Sequence, residues 1–214
     1  MYVMSALDDV ASELNRASSG ILRLLGPDRA RGLLLRLASW RLLPKDYDKD
    51  DPYVVIEPQE GLRFFAPVGL AAGFDREGVG VTAFLNMGFG FVDIGPVAAA
   101  DGEAVEALRQ RLASRDTAGQ VAHLGLVGAT ANGESTQVLA ACLQHLGRHL
   151  DYFAVNLGKL PAAMREEAAL RRLIAELVAT SNAVPAGQGP AVFVRVPSKT
   201  SREETLQVAS AALA

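Results

Sequence analysis

The sequence has 214 residues, of which 50% are apolar and 21% are charged, a composition typical of globular proteins rather than of disordered or collagen-like chains. A single cysteine, Cys142, excludes an intrachain disulfide framework, and no apolar run reaches the roughly 18 residues that a membrane-spanning helix requires. The net charge of −3 is unevenly distributed, because residues 16–45 carry seven basic side chains and one acidic side chain; this segment is therefore +6 and the remainder is −9.

Residues 1–45 form a basic, amphipathic segment that we predict to be a helical arm. Apolar side chains recur at helical spacing over residues 6–25 and again from Arg29 to Leu43, and Gly26-Pro27-Asp28 separates the two stretches. In the second stretch the leucines and Trp40 fall on one broad face, and most arginines fall elsewhere. Two alternatives remain open: a helical hairpin that packs on its own domain, or a helix that lies on a membrane surface through residues 16–45.

Residues 46–65 are predicted to form a linker and a short hairpin. The stretch from Lys45 to Pro52 is polar, charged and turn-prone. The two short runs that follow, Tyr53–Glu57 and Gly61–Phe65, fit the strands of a small hairpin at the entrance to the main domain.

Residues 66–214 alternate short apolar runs with helical stretches, which predicts an α/β fold. The runs expected to be buried parallel strands are Val68–Ala72, Phe89–Gly95, Ala122–Val127, Tyr152–Leu157 and Ala191–Val196, and helices are expected at 77–87, 101–115, 134–149, 162–182 and 202–213. Five β-then-α units favour a parallel sheet with right-handed crossovers. Because a closed eight-unit barrel takes about 250 residues, we expect either an open five-stranded sheet or an incomplete TIM-type (β/α) barrel of about five parallel strands.

Two segments of this domain carry a specific family signature. The sequences PVGLAAGFDR at 67–76 and NMGFGFVDIG at 86–95 closely resemble the first two barrel strands of the membrane-associated, quinone-linked (class 2) dihydroorotate dehydrogenases, and the likeness extends to residues 26–44, 149–156 and 190–196. The resemblance implies a (β/α) barrel that carries FMN at the carboxyl ends of its strands. It also implies N-terminal helices that form a quinone tunnel at a membrane surface. We identify the chain as a truncated and degenerate member of this family.

Some positions that contact the flavin in the family are retained. Ala71, Ala72 and Gly73 match the family's flavin-contacting turn, where small side chains let the backbone approach a planar ring. Asn156 matches an amide that orients flavin and substrate. By resemblance these four residues are vestigial cofactor-binding candidates, although small residues at a strand end also serve tight packing.

The positions that carry the chemistry in the family are altered. Its catalytic serine follows the strand-four asparagine by a few residues, but residues 157–161 read Leu-Gly-Lys-Leu-Pro and contain no hydroxyl. Arg76 stands in place of the family's substrate-binding lysine, and Arg195 stands where a flavin-contacting lysine would be. A planar guanidinium fork does not replace a compact ammonium. Arg195 is therefore a vestigial cofactor-binding candidate that could instead fill the cofactor space, and Arg76 is a vestigial substrate-binding candidate.

The loops around the site also depart from the family. After Val97 the family continues into a long substrate loop, whereas this chain passes through one predicted helix, Ala98–Ala113, directly to its third strand. The later units that would hold the FMN phosphate have no counterpart after unit five. The Gly-x-x-Gly at 125–128 is a weak substitute for a phosphate cradle, and we predict a tight turn there.

Two other kinds of site are not supported by the sequence. His145 and His149 lie near Cys142 at a spacing that can hold zinc, but no fourth ligand is nearby, so we predict no metal site. No basic patch is interleaved with aromatic residues, so we predict no nucleic-acid partner.

These losses together predict a chain with no catalytic residues and no cofactor. We expect a non-catalytic accessory subunit whose partners are other protein subunits of a large membrane assembly, with the respiratory chain or ATP synthase of the mitochondrial inner membrane as host. This location follows from the eukaryotic members of the resembling family. The alternatives are an FMN-dependent, dihydroorotate dehydrogenase-like oxidoreductase with a quinone acceptor, and a regulatory module that binds FMN without turnover.

Overall fold

The computed structural model describes residues 24–43, 55–59, 61–99, 101–117, 120, 122–129, 136–185 and 189–212. Most of the predicted helix at 6–25 and the linker up to residue 54 lie outside these ranges. The domain boundaries at residues 45 and 65 stay predictions.

A five-stranded parallel sheet forms the centre of the molecule, as the sequence predicts. Its strands lie side by side in chain order: β3 (Gly69–Leu70), β4 (Phe91–Ala98), β5 (His123–Ala129), β6 (Tyr152–Asn156) and β7 (Ala191–Arg195). This arrangement of consecutive parallel neighbours is that of an incomplete TIM-type barrel. β3 is shorter than predicted, and β4 continues beyond Gly95 after a register irregularity between Ile94 and Val97.

Helices pack on one face of this sheet. They are α2 (Val81–Phe84), α3 (Gly102–Ala113), α4 (Thr136–Leu146), α5 (Ala162–Arg165), α6 (Glu167–Asn182) and α7 (Arg202–Ala212). Alternate strand residues such as Ile94, Leu124 and Phe153 point into this layer and are fully buried. Apolar residues alternate along β4, β5, β6 and β7 on this side, so the sheet and the helices share one core.

Two predicted helices differ from the structure for local reasons. The helix predicted at 77–87 is confined to α2, because Gly78 has a φ of +68° and the segment before Val81 is held as a loop. The helix predicted at 162–182 is interrupted at Glu166, whose backbone is extended with ψ 141°, so that α5 and α6 are separate.

A hairpin closes one end of the opposite sheet face. β1 (Ile56–Gln59) and β2 (Leu62–Phe64) are antiparallel, which agrees with the predicted hairpin. Phe64 of β2 packs against Phe91 and Tyr152, with ring centroids 5.0 and 5.9 Å apart. The amino ends of the strands on this face are therefore covered by an aromatic cluster that also includes Phe193.

The N-terminal helix α1 (Pro27–Ser39) packs partly on the domain. Ala38 is 3% exposed within the core, and the Arg31 Nε donates a 2.7 Å hydrogen bond to the Phe74 carbonyl. Trp40 and Leu42 after the helix remain 66% and 65% exposed. One side of this segment thus contacts its own domain, as expected for an arm that packs on the domain. Trp40 and Leu42 nevertheless face solvent. Within the described ranges, no helix is long and apolar enough to span a membrane.

Candidate functional site

The predicted site residues gather at the carboxyl edge of the sheet, where the parallel strands end. Ala71, Ala72 and Gly73 directly follow β3, and the Gly73 N–H donates a 2.6 Å hydrogen bond to the Gly95 carbonyl of β4. Gly73 has a φ of +104°, yet a Cβ there would meet no atom within 4 Å. Glycine is therefore required for its backbone conformation, and the loop it forms is open to solvent.

Asn156 and Arg195 end β6 and β7 and are register partners across the two strands. The Asn156 Oδ1 accepts a 3.0 Å hydrogen bond from the Gly158 N–H, which caps the short 3-10 turn Leu157–Lys159. The structure thus brings Asn156 and Arg195 together, and it uses the amide oxygen of Asn156 to shape the loop that follows.

Arg76 lies in the loop after β3 and is exposed. This loop is organised by its neighbour Asp75, which is 1% exposed and whose carboxylate accepts hydrogen bonds from the Val79 and Gly80 N–H groups at 2.9 and 2.7 Å. Burial raises the pKa of Asp75, and these amides oppose the rise. The sequence analysis missed Asp75, although an aspartate shortly before two glycines is a typical signal for side-chain capping of a loop.

A buried polar network on the inner sheet face was also missed. The Tyr152 Oη donates a 2.5 Å hydrogen bond to the Asp93 Oδ1, and an Arg195 Nη1 lies 3.5 Å from the Asp93 Oδ2. Asp93 is 7% exposed. Burial raises its pKa, while the hydrogen bond from Tyr152, the Arg195 charge and the Ala72 amide oppose that rise. Burial, with the adjacent carboxylate, also raises the pKa of Tyr152, so the phenol stays protonated and remains a donor.

A glycine makes this network possible. Asp93, Gly125 and Tyr152 lie side by side on β4, β5 and β6 in one register row. A Cβ on Gly125 would lie 2.1 Å from ring atoms of Tyr152. The Tyr152 ring therefore lies over Gly125 of β5, where there is no side chain, and reaches the Asp93 carboxylate on β4.

This residue row also corrects one sequence prediction. Gly125 and Gly128 lie inside β5, so they form neither a tight turn nor a loop. The space of the missing side chain at Gly128 is filled by the Phe153 ring, 2.5 Å from the position of a Cβ. These two glycines therefore provide space for aromatic packing rather than backbone donors for a phosphate.

Comparisons with known proteins agree with this architecture. The chain is 28% identical over 226 residues to the mitochondrial quinone dihydroorotate dehydrogenase of Mus musculus, covering 89% of the chain, and 31% identical over 205 residues to the quinone enzyme of Xanthomonas oryzae pv. oryzae, covering 80%. The structure matches a dihydroorotate dehydrogenase of Eimeria tenella in complex with ferulenol, with a TM-score of 0.74, 23% identity and 88% coverage of this chain. The chain is a homologue of part of the quinone-linked dihydroorotate dehydrogenases.

The match is partial in length. The chain spans 57% of the mouse protein, 58% of the Xanthomonas protein and 64% of the Eimeria structure. No protein-family model matches the chain.

Compared with the family pattern, the loop after β6 offers no serine. Lys159 ends the 3-10 turn and is exposed, and residues 157–161 contain no hydroxyl side chain. The described residues fit only part of a flavin site. The open loop at 71–73 could border a planar ring. The Arg195 guanidinium, however, is directed to Asp93, and Gly125 and Gly128 of β5 are covered by aromatic rings.

Metal ligation has no support in the described part of the chain, where no group of three or more His, Cys, Asp or Glu side chains is arranged to hold an ion. Cys142, which lies near His145 and His149 in the sequence, is 1% exposed, and burial raises the pKa of its thiol to about 12. A thiol in this environment is a poor ligand, since metals bind the thiolate.

Proposed function

We propose that the chain is a non-catalytic subunit, derived from a dihydroorotate dehydrogenase, of a membrane-bound assembly of the mitochondrial inner membrane. The observation that carries this proposal is the loop after β6. An exposed lysine at position 159 stands beside Asn156, and no residue from 157 to 161 can act as a hydroxyl base. The hydroxyl that serves as the base in the resembling family therefore has no counterpart in this loop.

The Arg195 contact supports the same proposal. A flavin-contacting cation should point towards the cofactor, but the Arg195 guanidinium lies 3.5 Å from the Asp93 carboxylate. The Asp93 carboxylate is itself held by Tyr152. The positive charge at the end of β7 is thus directed to an internal partner, and the proposed subunit uses no FMN.

The exposed apolar residues around α1 support an attachment role. Leu24, Trp40 and Leu42 are exposed on a segment that also carries the exposed arginines Arg36 and Arg41. An apolar surface bordered by arginines suits either a membrane surface or another subunit. The mitochondrial location is taken from the name of the mouse relative, and a respiratory-chain complex or ATP synthase is the host we propose.

Catalysis is tested by incubating the purified chain with FMN, dihydroorotate and a quinone analogue. We expect no flavin-dependent turnover. A double variant, Lys159→Ser with Arg195→Lys, restores the family's residue types at both positions and serves as the matched comparison. Turnover by the unmodified chain above the FMN-only background contradicts the proposal, whatever the variant does.

Membership of an assembly is tested by mild detergent extraction of mitochondrial membranes and native electrophoresis. We expect the chain to migrate with stoichiometric subunits of one inner-membrane complex. Replacing Trp40 and Leu42 by serine should release it, whereas Val178→Ser, which alters another exposed apolar side chain on α6, should not. A chain that migrates alone in the unmodified extract contradicts the proposal.

A second candidate, an FMN-binding module without turnover, is favoured by the open backbone loop of Ala71, Ala72 and Gly73. A purified chain with a flavin absorption spectrum, or one that acquires it with added FMN, would support this candidate over the first.

A further inference from the structure

A cationic cavity of about 470 Å³ lies at the amino edge of the sheet. It is bordered by the β1–β2 hairpin and by the residues that precede β5, β6 and β7. Its charged and titratable lining residues are Arg115, His123, Arg148, His149 and Asp151. The candidate site described above is at the opposite edge, roughly 20 Å away, because β5 has seven residues at about 3.3 Å each.

Arg115 is the central feature of this cavity. Its Nη1 is fully buried, and it has no hydrogen-bond partner among the described residues. Burial lowers the pKa of Arg115, and only the nearby Asp151 charge opposes this effect. A buried guanidinium nitrogen without an acceptor is costly, and buried donors in folded proteins nearly always have a partner. Within the described part of the chain, the Arg115 guanidinium therefore lacks an acceptor for one of its nitrogens.

The carboxylate in the cavity is already engaged. The Asp151 Oδ2 accepts a 2.7 Å hydrogen bond from the Leu124 N–H, and its Oδ1 lies 3.4 Å from the His123 Nδ1. Among the described residues, the one carboxylate that lines the cavity is therefore already engaged, and the two arginines of the cavity outnumber it.

The cationic groups are close enough to perturb one another. Burial lowers the pKa of His149, followed by the charges of Arg148, Arg115 and Arg109. Arg109 is paired with Glu106 at 2.7 Å, which leaves Arg115 and Arg148 as the arginines of the cavity. Like charges held together in this way are stabilised by a multivalent anion.

We propose that this cavity binds a phosphate group through the guanidinium groups of Arg115 and Arg148, either as free phosphate or on a small phosphorylated molecule. Guanidinium groups match the oxygens of phosphate with paired, charge-assisted hydrogen bonds. The volume exceeds what phosphate alone needs, so the remainder of an ester can be accommodated. This site is independent of the function proposed above.

Calorimetric titration of the full chain tests the proposal, with inorganic phosphate and ribose 5-phosphate as ligands and ribose as the uncharged comparison. Ionic strength is kept constant so that screening does not imitate binding. We expect saturable binding of at least one phosphate ligand and no binding of ribose. Tighter binding of ribose 5-phosphate identifies an ester as the ligand, and equal or tighter binding of inorganic phosphate identifies the free ion; either result supports the site.

Arg148→Gln and Arg115→Gln should each weaken binding tenfold or more. Arg172→Gln, which alters an exposed arginine on α6 outside the cavity, should leave the affinity within twofold. Arg148 is exposed, so its variant decides the outcome even if Arg115→Gln fails to fold. The proposal is overturned if neither inorganic phosphate nor ribose 5-phosphate binds saturably, or if Arg148→Gln and Arg172→Gln bind with equal affinity.

Discussion

At the scale of single residues, the hydrogen bond from Tyr152 to Asp93 joins β6 to β4 across the inner sheet face. The two residues are 59 positions apart and both are buried. No local pattern in the sequence marks such a pair, because it depends on the register of three strands. The sequence could therefore predict Asn156 and Arg195 at strand ends, but not the carboxylate to which Arg195 is directed.

We predict that Tyr152→Phe destabilises the fold by about 1–3 kcal/mol, since it removes a donor from a buried carboxylate without changing the ring. Denaturant unfolding of Tyr152→Phe, Asp93→Ala and the double variant measures the coupling. We expect the double variant to cost less than the sum of the single variants. Strict additivity would contradict a direct interaction.

The second residue prediction concerns His123. Its Nε2 lies 2.9 Å from the Arg63 carbonyl, which can only accept a hydrogen bond, so Nε2 carries a proton. The Asp151 carboxylate at Nδ1 favours a second proton and, against the effect of burial, raises the pKa of His123 above 6.5. The resulting stabilisation is fully present below pH 6.5 and is lost as the pH rises through the raised pKa of the folded state.

We therefore expect His123→Gln to be less stable than the unmodified chain in mildly acidic buffer, and the difference to shrink as the pH rises above 6.5 through the raised pKa of His123. Urea unfolding at a series of pH values measures this. His149→Gln is the matched comparison, for which the stability difference should have the opposite sign. The pKa of His149 is lowered in the folded chain, so protonation of this residue below pH 6.5 favours the unfolded state. A difference for His123→Gln that is constant with pH would contradict the assignment.

At the scale of elements, apolar runs predicted all five strands, since buried parallel strands are continuous in hydrophobicity. The same reasoning overextended the helix at 77–87. Asp75 and the positive φ of Gly78 hold the first part of that segment as a loop, and hydrophobic spacing does not report either feature. Sequence reasoning also predicted a turn at Gly125 and Gly128. A glycine that makes room for an aromatic ring from the next strand cannot be distinguished in the sequence from a glycine in a turn.

We predict that Gly125→Ala destabilises the chain by several kcal/mol. The added Cβ would lie 2.1 Å from the Tyr152 ring, so β5 and β6 must separate or the ring must leave Asp93. Gly102→Ala is the control, because a Cβ there meets nothing within 4 Å and alanine favours the helix α3 that Gly102 begins. Thermal unfolding should show a large loss for the first variant and no loss for the second. Equal melting temperatures would show that the strand interface yields easily.

At the scale of the whole molecule, the consecutive strand order is the one that the predicted incomplete barrel implies, because each β-then-α unit of a (β/α) barrel places its strand beside the previous one. The position of α1 did not follow from the sequence. Its arginines and leucines suit either a protein core or a membrane surface. The buried Ala38, the packing of Leu35 on the core and the hydrogen bond from Arg31 to the Phe74 carbonyl show which side meets the domain.

We predict that hydrogen exchange is slowest at the centre of the sheet and faster at its edges. β5 pairs with strands on both sides, whereas β7 pairs only with β6 among the described strands. Mass-spectrometric exchange in dilute solution should therefore show greater protection for 124–128 than for 191–195. If a partner adds to this edge, protection of β7 should rise with its concentration. Equal protection of the two strands in dilute monomer would contradict the open edge.

The single tryptophan has a practical consequence for spectroscopy. Trp40 is the only indole in the sequence, is 66% exposed at the end of α1 and does not belong to the aromatic cluster of the inner sheet face. Intrinsic emission of the chain will therefore resemble that of a hydrated fluorophore and will report poorly on denaturation of the sheet. It will instead shift to shorter wavelength when lipid or another polypeptide covers that surface, which provides a label-free signal for attachment.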